Sequence, residues 1–197
     1  MRFNSHYALS AAGSHAFLSA SKYAWINYDE EKLGQSWATA RAAERGTRLH
    51  NLARELIELG IKQPRNNTTL SLYVNDAIGF RMTPEQYLFY SENAYGCADA
   101  ISFRKERTKD LRPILRVHDL KTGISPASFK QLMIYVAFFC LEYRENPFEI
   151  DIELRIYQND TFETYIPDPG DIMHIMEQTR SFDKKIVQWR LEAAGLS

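Results

Sequence analysis

Asp119 and Lys121 stand two residues apart in the segment Val117-His118-Asp119-Leu120-Lys121-Thr122-Gly123, which reads as the end of a β-strand. Side chains on a strand alternate between faces, so a carboxylate and an amine leave the same face while Leu120 points to the other. A second carboxylate, Asp99, falls near the middle of the preceding strand, after Gly96-Cys97-Ala98. If the two strands are neighbours, the carboxylates come within a few ångströms of each other. Two such oxygens are the usual protein share of a magnesium site, whose other positions go to water and substrate phosphate oxygens. The reaction this set suits is phosphate-ester hydrolysis. It is among the slowest reactions in water, and a positioned general base supplies only ~10²–10⁴-fold. A metal ion adds what a lysine lacks: it acidifies water, polarises the phosphoryl oxygens and stabilises the leaving oxygen, while Lys121 orients or deprotonates the attacking water. Taken alone, an Asp-x-Lys pair on a strand is commonly an edge salt bridge, so the assignment depends on its surroundings.

The elements that must position these residues follow from periodicity. A short helix is expected over Ser10 to Lys22, with Ser10 as its N-cap. From Gln35 to Leu59, the residues Trp37, Ala40, Ala43, Leu49, Leu52, Ala53, Leu56 and Ile57 keep helical spacing, and Gly60 supplies the stop. Pro64 to Thr69 reads as a loop. Leu70, Tyr73, Val74, Ala77 and Ile78 then predict another helix. After Pro84 the texture becomes aromatic and β-branched, predicting three consecutive strands at Gln86 to Ser91, Tyr95 to Phe103 and Ile114 to Leu120. Ser128 to Tyr143 is an almost wholly apolar helix that should lie buried against the sheet. Two strands, Ile150 to Tyr157 and Thr161 to Ile166, and a long amphipathic helix from Asp168 to Ala194 complete the order. The class is α/β, a central mixed sheet flanked by helices, and residues 1–197 are expected to form a single domain.

The segments Gly96-Cys97-Ala98-Asp99-Ala100-Ile101, Val117 to Gly123 and Gln131-Leu132-Met133-Ile134-Tyr135, preceded by Arg45-Gly46-Thr47-Arg48-Leu49-His50, occur in one order. This series resembles the RecB-like exonuclease branch of the PD-(D/E)XK nuclease superfamily, which includes CRISPR-associated RecB-like and phage exonucleases. The family's corresponding motifs are a helical Gly-x-x-x-His, a Gly-x-x-Asp strand, an Asp-x-Lys-x-Gly strand end and a Gln-x-x-x-Tyr helix. The resemblance spans roughly Ser10 to Tyr157 and implies a restriction-endonuclease-like core. It implies a Mg2+ or Mn2+ ion held by His50, Asp99, Asp119 and the main-chain carbonyl of Leu120, with Asp99, Asp119 and Lys121 catalytic. Gln131 and Tyr135, four apart on one helical face, would sit beside the site and help position DNA or the catalytic strand; alternatively Tyr135 is a core aromatic and Gln131 a helix-start hydrogen bonder. The implied function is a metal-dependent DNA nuclease acting in recombination, repair or phage genome processing. DNA is the expected partner, with a recombination or single-strand-annealing protein as a further one. Several relatives bind an iron–sulfur cluster through one cysteine ahead of the helical histidine and three near the C-terminus. Here the early position reads Leu18-Ser19-Ala20-Ser21 and no cysteine follows Cys140, so no iron–sulfur cluster is expected.

Bulk composition narrows the classes. Lys and Arg number 24 against 25 Asp and Glu, so any attraction for a polyanion must be local. Arg104 to Arg116, with Lys105, Arg107, Lys109 and Arg112 among two acids, is one such stretch or else a solvated loop. Arg45 and Arg48, with Arg41, lie within about a turn of His50 and either contact phosphates or form a solvated face, Glu44 being at ion-pair spacing from Arg48. Lys184, Lys185 and Arg190 carry the same two readings. Two cysteines, Cys97 and Cys140, rule out a four-cysteine metal site or a disulfide framework and suit a reducing, cytoplasmic setting. The segment from Met1 lacks a signal-peptide pattern, and no run reaches the roughly 20 apolar residues of a membrane helix. Two rivals remain. The dipeptide His118-Asp119 occurs in metal phosphohydrolases, but adjacent strand residues face opposite sides and would not share an ion. A catalytically inactive nuclease fold, serving as a DNA-binding or scaffold module, would explain the neutral charge, yet it gives no reason for the acids, the lysine and the histidine all to be present.

Overall fold

The computed structural model describes residues 16–104, 112–123 and 126–195. Ser10, the expected N-cap, and most of the basic stretch, 105–111, lie outside these residues. Chain contacts divide the molecule into two units, Met1–Thr47 and Arg48–Ser197.

In the first unit, residues 16–19 form a turn and a 3-10 helix follows at Ala20–Asn27, so the expected helix over Ser10 to Lys22 is corrected in its described part. The Trp25 indole N–H donates to the Ser19 carbonyl at 2.9 Å, and Phe17 meets Trp37 edge to face with centroids 5.1 Å apart. Helix α1, Glu30–Glu58, runs from the first unit into the second, which takes its residues from Arg48 onward, and it begins a full turn before its sequence expectation at Gln35. Asp29 explains the start: its Oδ1 accepts from the Lys32 N–H at 2.7 Å, a capping bond to the third residue of the helix. At the other end Gly60, with φ +65°, closes the helix as expected. The Ile61 N–H reaches the Leu56 carbonyl and the Gly60 N–H reaches that of Ile57, the paired bonds of a Schellman stop.

The second unit holds the rest: α2 (Thr69–Gly79), β1 (Thr83–Ser91), β2 (Ala94–Arg104), β3 (Ile114–Leu120), α3 (Lys130–Tyr143), β4 (Asp151–Gln158), β5 (Thr161–Tyr165) and α4 (Pro169–Ala193). Among the described residues, five strands form one mixed sheet in the order β1-β2-β3-β4-β5. All neighbours are antiparallel except β3 and β4, which α3 connects as a crossover between parallel strands. The α/β class and the central mixed sheet with flanking helices are as the sequence order implied, consistent with a restriction-endonuclease-like core.

Two apolar cores cover the two faces. On one, α3 and α4 pack Leu132, Val136, Phe139, Ile172 and Met176 onto Leu88, Leu115, Val117, Leu154 and Ile156. On the other, Ala53 and Ile57 of α1 and Tyr73, Val74 and Ala77 of α2 pack onto Ala100, Leu120 and Tyr157. β1 is an edge strand, and the Phe89 N–H on that edge donates at 2.8 Å to the Glu142 carboxylate. Among the described residues no helix is long and apolar enough to cross a membrane.

The second core also contains charge. His118 is fully buried on this face, away from Asp119, with its Nδ1 3.2 Å from the Tyr157 hydroxyl. Glu153 lies 3.3 Å from Arg116, 3.1 Å from Arg155 and 3.9 Å from His118. Arg155 and the Tyr157 hydroxyl both donate to Asp76 of α2, at 2.9 and 2.7 Å, and so fasten that helix to the sheet. The His118 contact, then the Arg155 and Arg116 guanidiniums, push the Glu153 carboxyl down to about 2 against the opposing effect of burial. Burial lowers His118. Both shifts have the same sign for stability. A depressed carboxylate stabilises the fold above its ordinary 4.5 and loses that contribution as pH falls toward 2; a buried neutral imidazole loses stability as pH falls below 6.5. Glu153→Gln is therefore expected to cost about 1–3 kcal/mol at pH 7, below the cost for a fully enclosed pair because the side chain is 21% exposed. It should also flatten the loss of stability between pH 4.5 and the acid limit, as read from urea midpoints across that range. A variant as acid-sensitive as wild type would show that this cluster does not govern acid unfolding.

Candidate metal centre

The centre forms where regular pairing stops. β2 and β3 are paired from Arg104↔Ile114 to Ala100↔His118, and there the ladder ends. The next residues, Asp99 and Asp119, diverge. The main-chain N–H of Leu120 bonds not to β2 but to the Asp99 carboxylate, at 2.9 Å. Face alternation in β2 also slips here: Ala98 and Ile101, three apart, both belong to the core under α3. Opposite Asp99 in the β1–β2 register is Glu85, between the pairs Gln86↔Ala98 and Pro84↔Ala100, and its φ of +48° lies in the left-handed region. Such a backbone costs of order 1–3 kcal/mol at a residue other than glycine.

The outcome is a cluster of His50, Glu85 and Asp99, each offering a ligand atom within 4.8 Å of the others. His50 reaches it from α1, three residues before Ala53 on the same helix, with Nδ1 3.5 Å from Asp99 Oδ2. Burial, then the charge of Asp119, push the Asp99 carboxyl up to about 6, with His50 and the Leu120 N–H acting the other way and Glu85 adding to the rise. Like charges gathered in a half-buried place are costly unless a cation joins them.

Asp119 is 2% exposed and faces α3. The Lys121 ammonium donates to its Oδ1 at 3.0 Å and to Gln131 Oε1 at 3.1 Å, and the Gln131 amide donates to the Tyr135 hydroxyl at 2.9 Å. Asp119 Oδ2 is enclosed and has no hydrogen-bond partner; it lies 3.0 Å from the Lys121 nitrogen, but not in bonding alignment. A buried carboxylate whose second oxygen is held only by the charge of Lys121, near a nitrogen-and-oxygen set, is a ligand type that a divalent ion accepts. The chain beyond β3 is held in place: the Lys121 N–H donates to the Tyr157 carbonyl at 2.9 Å, and the Gln158 amide donates to the Gly123 carbonyl.

Of the residues singled out from sequence, His50 and Asp99 meet directly, and Asp119, Lys121, Gln131 and Tyr135 form one hydrogen-bonded chain. Leu120 joins the two groups through its N–H, with its side chain buried on the opposite face. Arg45 and Arg48 are exposed on α1. Glu85 was missed. Counting back across the Ser91↔Ala94 hairpin places Gln86 opposite Asp99, but a register shift between Phe89 and Ser91 moves Glu85 there instead. The motif glycine, Gly96, has a steric role: a Cβ there would lie 2.9 Å from the Tyr135 ring, so glycine admits the tyrosine to its place over β2.

No protein-family model matches the chain, and no curated protein matches it. Among solved structures, one described as "Crystal structure of SSO0001" aligns with 15% identity and a TM-score of 0.32, over 58% of this chain and 57% of that one. The chain thus spans little more than half the length of that structure.

Two outcomes are expected. Glu85→Gln should weaken Mn2+ binding by about 10–100-fold in calorimetric titration while leaving the fold intact; unchanged affinity would remove Glu85 from the centre. Gly96→Ala should destabilise by about 1–3 kcal/mol through overpacking. In a Tyr135→Ala background most of that penalty should vanish, because the clash is with that ring.

Proposed function

We propose that this chain is a RecB-like, metal-dependent nuclease that hydrolyses phosphodiester bonds in DNA, working on ends or single strands in recombination, repair or phage genome processing. The observation that supports it best is the Lys121 ammonium, held between Asp119 and Gln131 next to a cluster of three further ligand-type side chains. An edge salt bridge needs only the first of those contacts.

His50, Glu85, Asp99 and Asp119 would hold a divalent ion, Mg2+ or Mn2+, which when bound supplies Lewis acidity toward a phosphoryl oxygen and charge to balance the carboxylates. The remaining work falls to the chain's own side chains. Lys121 has three ammonium hydrogens and uses two on Asp119 and Gln131, leaving one for an attacking water or a phosphate oxygen. Gln131, bonded on one side to Lys121 and on the other to Tyr135, fixes the height of that amine above the strand. Tyr135 accepts from Gln131 and keeps its own O–H to donate to a substrate oxygen. Burial of Asp119 and the ordered contacts around Lys121 provide the preorganisation on which such catalysis depends.

The test is a time course on end-labelled linear, circular and single-stranded DNA with each ion in turn. Cleavage of linear or single-stranded DNA with Mg2+ or Mn2+ is expected, and no hydrolysis with either ion would overturn the reading in favour of a catalytically inactive scaffold. Lys121→Ala should lose at least about 10²-fold in rate while keeping its fold and most DNA affinity. Asp119→Ala should lose Mn2+ binding and cleavage together.

A further inference from the structure

Three large aromatic side chains lie open to solvent on the β1–β2 hairpin: Tyr87 is 64% exposed, Phe89 52% and Tyr95 58%. The register shows that they are not scattered. Phe89 pairs with Tyr95, Tyr87 pairs with Cys97, and the next same-parity position sets Glu85 opposite Asp99. These positions share one face of the hairpin, opposite Leu88, which lies in the core beneath α3. Successive rungs are two residues, or about 7 Å, apart. The ladder thus starts with a ring pair, centroids 6.3 Å apart and 27° from parallel, and ends in the carboxylates of the candidate metal centre. The Cys97 thiol, donating to Glu85 at 3.4 Å, connects the last aromatic rung to the acids.

Exposed apolar rings cost free energy in water, and a face that leads into a phosphodiester-cleaving centre has an evident use for them. Bases of a single strand stack on aromatic rings whatever their sequence. A duplex keeps its bases stacked inside and presents only phosphates and groove edges, for which this face has nothing to offer: none of its rungs carries a Lys or Arg. We infer that the outer face of the β1–β2 hairpin is a stacking platform for single-stranded DNA, on which Tyr87, Phe89 and Tyr95 hold unpaired bases and lead the strand toward Glu85 and Asp99. The inference deepens the nuclease reading and rests on it for the direction in which the strand runs. Binding through neutral rings also has a signature that phosphate contacts lack. Removing a ring lowers affinity without changing the slope of affinity against salt.

The experiment measures fluorescence anisotropy of a short labelled oligothymidylate with the full chain in EDTA, so that no hydrolysis intervenes, over a series of salt concentrations. Each of Tyr87→Ala, Phe89→Ala and Tyr95→Ala should weaken binding by roughly 5- to 150-fold. Tyr87→Phe and Tyr95→Trp should bind as wild type does, and the salt slope should be the same throughout. Phe148→Ala, which removes a similarly exposed ring in the turn before β4, should have no effect. Alanine variants that bind as tightly as wild type would overturn the platform, as would a wild-type chain that does not bind the oligonucleotide. So would sedimentation showing that the rings hold two copies of the chain together and that their loss merely separates them. Failure of the platform and failure of the nuclease reading are distinguishable. A chain that cuts DNA with Mg2+ or Mn2+ yet binds equally well without its rings loses only the platform; one that binds through its rings yet never cuts loses only the nuclease.

Discussion

The second unit is organised around an electrostatic conflict. Burial and the charges of Asp119 and Glu85 all raise the cost of ionising Asp99, while the His50 imidazole and the Leu120 N–H act the other way. A fold optimised only for stability would not arrange this. The conflict is maintained by neighbours that are firmly settled: two apolar cores clamp the sheet on either side, and the Asp76, Arg155 and Tyr157 bonds lock α2 across β4. The left-handed Glu85 backbone lies beside this acidic cluster, and the β3–β4 pairing next to it runs without a break.

The two networks of charged residues in the sheet show how burial separates structural from chemical roles. His118 and Asp119 are adjacent, yet they serve opposite faces. The histidine joins a set in which the two guanidiniums of Arg116 and Arg155 balance the two carboxylates of Glu153 and Asp76. The aspartate joins a set in which acids predominate. The strand's alternation alone produces this division, and it disposes of the notion that His118 and Asp119 grip one ion.

Much of this was legible from residue order. The strands, the crossover helix and the long C-terminal helix announced themselves through alternation, apolar runs and the Asp168-Pro169 start, where the Asp168 side chain caps the Gly170 N–H at 2.7 Å. The pairing of Asp119 with Lys121, and of Gln131 with Tyr135, followed from spacings of two and four. What spacing does not carry is irregularity. The start of α1 was placed late because the cap Asp29 stands before a polar turn with no apolar periodicity to mark it. Glu85 escaped because one register shift in a hairpin changes which residue faces Asp99, and Gly96 gave no hint that its missing side chain makes room for Tyr135. The expected helix over Ser10 to Lys22 rested on small residues, which suit a turn and a 3-10 helix equally well.

The bond from Phe89 to Glu142 has a consequence for how the molecule behaves in a crowd. An open outer strand bearing tyrosines and a phenylalanine is a natural template on which another chain could continue the ladder, and repeated addition would build fibrils. By occupying one of the donors that an incoming strand would need, and by setting a negative charge against that margin, the carboxylate from α3 interrupts the template midway along its length. A strand added along this edge would have to displace that carboxylate before it could pair past Phe89.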